Sequence, residues 1–132
     1  MSGRRLAPLV AAILVYAGEA AAAECLKAET DGQIAEGRLE RVRFVDVEYG
    51  NRVEVAFILN LAEPACLTGD DDIDKIDSTL KIHVFSMDKA VRERLQAAVG
   101  RRIRVVGSAF GEHTAHHRAP IVMHVTAVKP LP

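Results

Sequence analysis

Three histidines within five residues are the feature of this chain best suited to chemistry: His113, His116 and His117. Neutral imidazole binds Zn²⁺, Cu²⁺ and Ni²⁺, and the spacing of His113 to His116 or His117 suits chelation. A closed zinc site needs four ligands, so Glu112 or His83 would have to complete the set. One hypothesis is therefore a transition-metal site for Zn, Cu or Ni built on these three histidines.

The same segment supports two other interpretations. Thr114, His116 and His117 can hydrogen-bond within the loop and to its backbone, which would fix the turn. Alternatively the segment contacts a ligand, and the leading hypothesis is a binding module for a protein, peptide or small molecule with no cofactor. The candidate contact residues are then Glu112, His113, Thr114, His116, His117 and Arg118.

The two cysteines, Cys25 and Cys66, form the second group of reactive side chains. In an oxidising compartment a lone pair of this kind forms a disulfide far more often than it stays reactive. A metal-thiolate pair or two free thiols are the alternatives, and no neighbouring residue favours either. We therefore expect a disulfide between Cys25 and Cys66.

Catalytic motifs are missing from the sequence. It contains no nucleophile elbow, no phosphate-binding glycine loop and no His-Glu-x-x-His helix. The acidic run from Asp70 to Asp77 lacks the glycine and glutamate that an EF-hand requires, so it is interpreted as a solvated surface loop. The sequence therefore predicts that the protein is not an enzyme, and it assigns no catalytic residue.

Alternating apolar residues predict five β-strands that would position the histidine segment. The first runs from about Gln33 through Val47, with a β-bulge expected where its apolar register slips between Leu39 and Val42. A turn over 48–51 leads to a second strand that is expected to end at Pro64. The apolar positions on one face of this second strand are Val53, Val55, Phe57, Leu59 and Leu61.

The third strand is predicted around Leu80 to Val84, and an amphipathic helix with Asp88 as its cap follows over 88–99. The fourth strand carries Ile103 to Ala109, and the fifth carries Ile121 to Ala127. This order predicts a mostly β protein, a five-stranded OB-like Greek-key barrel with one helix between strands 3 and 4. The histidine segment then joins the last two strands, beside the usual ligand face of that fold.

The first 23 residues resemble a cleavable signal peptide. Arg4 and Arg5 precede the apolar run from Leu6 to Ala17, and Ala21 to Ala23 provide small residues for cleavage. The apolar run is too short to cross a bilayer, which needs about 20 residues. We expect a signal peptide over 1–23 and a single OB-like domain over 24–132, located in the periplasm or secreted.

The charge balance argues against nucleic acid as a partner. The full chain has a formal net charge of −1, and cleavage would remove two arginines and one glutamate. Phosphate binding requires a basic surface, and the chain also contains no tryptophan for base stacking. The expected partner is an envelope protein or a small ligand, with neither nucleic acid nor a membrane span after signal removal.

A motif in the last third of the chain resembles a known family. Gly107, Phe110, Thr114, His116 and His117 form a Gly-x-x-Phe-x-x-x-Thr-x-His-His pattern before the final strand. This pattern is similar to that of an uncharacterised family of bacterial exported domains of unknown function. The resemblance covers roughly 36–128, with Pro64 and Cys66 also matching. It implies an envelope location and an OB-like barrel, and it implies no activity.

Overall fold

The computed structural model describes residues 24–132, together with Gly3, Ala7, Pro8 and residues 10–12. The predicted signal peptide over 1–23 falls mainly on residues outside this description. Within the described residues, no helix is both long enough and apolar enough to cross a membrane.

The described chain forms six strands and one α-helix. The strands are β1 (Leu26–Lys27), β2 (Gln33–Asp46), β3 (Arg52–Thr68), β4 (Ile76–Phe85), β5 (Arg102–Gly111) and β6 (Ile121–Pro130), and the helix α1 is Lys89–Ala97. Of the described residues, 56% lie in strands and 10% are helical, which confirms the predicted mostly β class. The helix also lies where it was expected, and the Asp88 carboxylate caps it by accepting from the backbone N–H groups of Ala90 and Val91.

The strand pairings form a closed ring. β2 pairs with β3 and β5, β3 also pairs with β4, and β6 joins β5 to β4. All these pairings are antiparallel except β4 with β6. The OB-like assignment stays a prediction, which this ring and the position of α1 between β4 and β5 support.

The core fills the inside of the ring. Its fully buried strand residues alternate with outward-facing ones, as the period-two pattern predicts. They are Leu39, Leu59, Ile82, Val84, Ile103, Val105, Ile121, Met123 and Val125. Val91 and Leu95 of α1 belong to the same cluster. Burial of a side chain of this size contributes about 1.5–3 kcal/mol, so this cluster is the main source of stability.

The prediction that Pro64 ends the second strand is wrong. β3 continues to Thr68, and its register with β4 shifts between Asn60 and Ala65. Pro64 lies in this irregular stretch, where no ladder hydrogen bond requires its missing N–H. The extension pairs with β1, a sixth strand. β1 has only two residues, Leu26–Lys27, which are too few for an alternating pattern to predict it.

The Cys25–Cys66 disulfide is present, as predicted. It joins the residue before β1 to the extension of β3, and Leu26 pairs with Leu67 directly beside it. The bridge therefore fixes the N-terminal segment of the described domain to the ring.

The interpretation of the acidic run as a fully solvated loop is wrong at one residue. Residues Asp72–Asp74 form a short 3-10 turn, and Asp74 is buried with 6% of its surface exposed. Its carboxylate accepts a hydrogen bond of 2.8 Å from the backbone N–H of Gly111. Asp74 therefore holds this turn against the end of β5, while Asp70 to Asp72 remain exposed.

The β-bulge expected in the first hairpin is wrong. No bulge separates Leu39 from Val42, because β2 and β3 pair without interruption from Gly37 to Asp46. Val53 and Val55 share a face with buried Leu59, yet they are 46% and 44% exposed. The hairpin is longer than the ring, so its outer part, residues 41–55, extends beyond the core. We call this part the arm. The turn at its tip has the predicted positive φ angles at Gly50 and Asn51.

Candidate functional site

The histidine-rich loop, residues 112–120, joins β5 to β6 and folds back over the outside of the ring. The backbone N–H of Glu112 donates to the carbonyl of Pro120 at 3.0 Å, which closes the base of the loop. Ile58 and Val122 face outward on β3 and β6 but are buried. Their outward-facing neighbours His83 and Phe110 lie beside the ring of His117, so the loop covers this part of the sheet.

Glu54 of β3 fastens the far side of the loop. One carboxylate oxygen accepts from Arg118 Nη2 at 2.7 Å, and the other contacts Nδ1 of His116. The Arg118 guanidinium also lies 4.8 Å from the ring centre of Phe44. Hydrogen bonds from Arg118 and then from His116 lower the pKa of the Glu54 carboxyl. Glu54 therefore stays ionised and links the arm to the loop.

Several histidine nitrogens accept backbone hydrogen bonds. His83 Nδ1 accepts from the N–H of Arg118, and His117 Nδ1 accepts from the N–H of His113, both at 3.1 Å. His124 Nε2 accepts from the N–H of Met87, also at 3.1 Å. A protonated imidazole has no free lone pair, so His83 and His117 must be neutral to make their bonds.

Contacts inside the loop complete its order. Thr114 Oγ1 accepts from the N–H of His116, and the Thr114 carbonyl accepts from the N–H of His117. The rings of His113 and His117 lie 4.7 Å apart, and both lie within 5.4 Å of the Phe110 ring. These bonds confirm the interpretation that the loop's own polar groups fix its turn.

The pKa values of two histidines follow from this packing. Burial lowers the pKa of His83 to about 4, and repulsion by Arg118 and by any proton on the neighbouring His117 acts in the same direction. Burial and the neighbouring His113 also lower the pKa of His117. Protonation of either ring would break the hydrogen bond that its Nδ1 accepts. The loop therefore packs in this way at neutral pH, where both rings are neutral.

We expect this packing to make stability depend on pH. In the unfolded chain His83 titrates near 6.5, and in the folded protein near 4. Between these values the unfolded state binds more protons, so the free energy of unfolding falls as the pH drops from 6.5 to 4. The variant His83→Asn keeps an acceptor for the Arg118 N–H and cannot titrate. It should reduce proton uptake on unfolding by up to about one proton in this range.

Urea unfolding between pH 4 and 7.5 measures this slope. His113→Gln is the matched control, because His113 is exposed and its Nδ1 faces the Gly111 carbonyl, a contact that a protonated ring can still make. An unchanged slope in His83→Asn would show that His83 does not carry this pH dependence.

The structure does not bring the three predicted metal ligands together. Among the described residues, no group of three or more His, Cys, Asp or Glu side chains could hold a metal ion. His116 contacts Glu54, whereas His113 and His117 pack on Phe110, and one nitrogen of His117 already accepts a hydrogen bond. Both cysteines form the disulfide, so neither provides a thiolate ligand.

Concave surfaces lie away from the loop. A cavity of about 480 Å³ lies among Glu36, Arg38, Asn60 and Arg102, and another of about 330 Å³ lies between α1 and the end of β6. Residues 112–118 line none of five cavities in the described part of the chain. These cavities therefore lie apart from the loop.

Sequence reasoning identified the loop but missed its anchors. All six predicted contact residues lie on it, and Glu112, Thr114 and His116 are exposed. Glu54 and His83 were missed as partners of Arg118. A weak signal existed for Glu54, which is the only acid among the valines at the start of β3. His124 lies beside Phe85, at 5.2 Å between ring centres.

Comparisons with known proteins give one family and no characterised relative. No curated protein matches the chain. The part of this chain that matches a family is residues 81–129. It runs from β4 through α1 and β5 to β6 and includes the whole histidine-rich loop. This region, less than half of the chain, is similar to an uncharacterised family described as "Domain of unknown function (DUF4431)".

Proposed function

We propose that this protein is an exported binding module that recognises a protein partner through the loop 112–118 and the adjoining outer face of the sheet. The observation that carries the proposal is the fastening of the loop by Glu54, which engages both His116 and Arg118. The loop is ordered by its own contacts, and its outward side chains Glu112, Thr114 and His116 are left exposed.

A protein is favoured over a small ligand because the loop lines none of these five cavities. Small-molecule sites are concave and bury most of the ligand, whereas protein interfaces are broad and comparatively flat. An ordered loop also loses little conformational entropy on binding, so a flat contact can reach useful affinity. These two properties together support a protein partner.

Export is part of the proposal. A disulfide persists in the periplasm or outside the cell and is rare in the cytosol. The Cys25–Cys66 bridge and the signal-like sequence over 1–23 therefore support the same location.

Site-specific photocrosslinking tests the proposed surface. A photoreactive amino acid replaces the exposed Ala115 in the loop, and the protein is expressed in cells that carry its natural partners. We expect a discrete protein adduct that Glu54→Gln weakens by about tenfold. That variant removes the charge which holds Arg118 and His116, and hydrogen bonds to a charged group are stronger than those between neutral groups.

The same photoreactive residue at Gln96, which is exposed on α1, is the control. Equal adducts at the two positions, or an adduct at Ala115 that Glu54→Gln leaves unchanged, would contradict a specific interface at the loop.

A further inference from the structure

The outer half of β2 has a free edge. Pairing of β2 with β5 ends at Arg38, and the backbone of Leu39 makes the last bonds on that side, to Gly100 and Arg101. Since the register with β3 is unbroken, the N–H and C=O groups of every second residue after Leu39 point the same way. Those of Arg41, Arg43 and Val45 therefore face away from β3, and no strand in the described chain pairs with them.

An apolar face accompanies this edge. Val45 and Val47 of β2 and its turn are 56% and 76% exposed, and Val53 and Val55 lie across from Val45 and Arg43. Val45, Val53 and Val55 share the face that further along the strands becomes the core, and Val47 follows in the turn. Exposed apolar residues gathered on one side of a protruding hairpin are typical of an interaction surface.

The charges on this face have one sign. Arg41 and Arg43 are exposed and lie on the same face as the valines. Neither forms an ion pair with another described residue. Of the arm's three carboxylates, Asp46 and Glu54 lie on the opposite face and Glu48 lies in the turn, and Glu54 is already occupied by Arg118.

This charge pattern distinguishes between possible occupants of the edge. Two copies of the chain pairing through β2 would place four arginines on one sheet face without a carboxylate, and like charges on neighbouring strands are destabilising. A strand with carboxylates at alternate positions would instead face Arg41 and Arg43 with opposite charge. Its backbone would satisfy the free N–H and C=O groups of the edge.

We propose that the β2 edge of the arm, from Arg41 to Val45, binds an extended acidic segment of a partner protein as an added β-strand. Carboxylates at alternate positions of the segment pair with Arg41 and Arg43, and its other residues face the opposite side of the sheet. This surface is separate from the loop 112–118, so the inference stands or falls independently of the proposed function.

Fluorescence anisotropy with synthetic peptides tests the inference. The probe is a labelled eight-residue peptide of alternating Glu and Val, compared with its Lys-Val counterpart and with a peptide of the same composition in two blocks. We expect saturable binding of the alternating acidic peptide only. Raising the salt concentration should weaken this binding, because exposed ion pairs are screened.

Two arm variants identify the edge. Arg41→Gln with Arg43→Gln should weaken binding at least tenfold, and Lys81→Gln with Lys129→Gln is the control that removes two positive charges elsewhere. Val45→Pro should abolish binding, since it removes an outward N–H. It should leave the melting temperature nearly unchanged, because proline is tolerated on a free edge.

Three results would overturn the inference. The first is that the acidic and basic peptides bind equally well, or that neither of them binds. The second is that the acidic peptide still binds to both arm variants. The third is that Glu54→Gln loses binding, which would place the peptide site on the loop surface. Sedimentation of the protein alone is the last check, because a dimer that Val45→Pro dissociates would identify a second copy as the occupant.

Discussion

Gly111→Ala should destabilise the protein by on the order of 3–5 kcal/mol, the largest effect we expect from a single methyl group. A Cβ atom at Gly111 would overlap the carbonyl group of Ile73 and crowd the backbone nitrogen of Asp74. These are backbone atoms, so no side-chain rotation can relieve the overlap. The substitution would also push away the Asp74 carboxylate, which accepts the Gly111 N–H.

Urea unfolding of the two proteins measures this loss. Gly32→Ala is the matched control, because Gly32 has a φ of +77° and an added Cβ there meets nothing within 4 Å. It should cost only about 1–2 kcal/mol, the strain of a left-handed backbone conformation. If both variants lose the same stability, the close approach of β5 to the Asp72–Asp74 turn is not a structural constraint.

Removing the disulfide through Cys25→Ala with Cys66→Ala should lower the free energy of unfolding by about 4 kcal/mol. The bridge spans 41 residues along the chain, and its loss enlarges the conformational freedom of the unfolded state. For a domain of this size the melting temperature should fall by roughly 15–30 °C. Such a loss is a large fraction of the stability of a small domain.

Melting in the presence and absence of a reductant provides the internal control. Reductant should destabilise the wild type to the level of the double variant and leave the variant unchanged. The intact mass of the exported wild type should show two hydrogens fewer than the reduced protein and a chain that begins at Glu24. Two alkylatable thiols in that product would contradict both the bridge and the export proposal.

Local patterns accounted for most of the secondary structure. The turn glycine and asparagine at Gly50-Asn51, the cap at Asp88 and the alternation of β5 each depend on neighbours in sequence, and all three are found. The disulfide was also predictable, because only two cysteines were available to pair.

The candidate site was only half predictable. The loop histidines were visible as a cluster, but their partners are 35 to 64 residues away: His83 bonds to Arg118, and Glu54 bonds to His116 and Arg118. Such contacts depend on which strands the ring brings together. For the same reason the metal hypothesis was reasonable from spacing alone and finds no assembled ligand set in the described residues.

The sequence by itself determined the β class, the order of the five long strands and the helix along the chain, and the bridge, since alternation, turn residues and a lone cysteine pair act over short distances or without competitors. Only the tertiary structure decided which apolar face is buried. Leu59 and Val55 have the same pattern, yet one lies inside the ring and the other on the exposed arm. Periodicity reports the face on which a side chain lies, and burial requires a second layer over that face, which the chain supplies only where the ring closes.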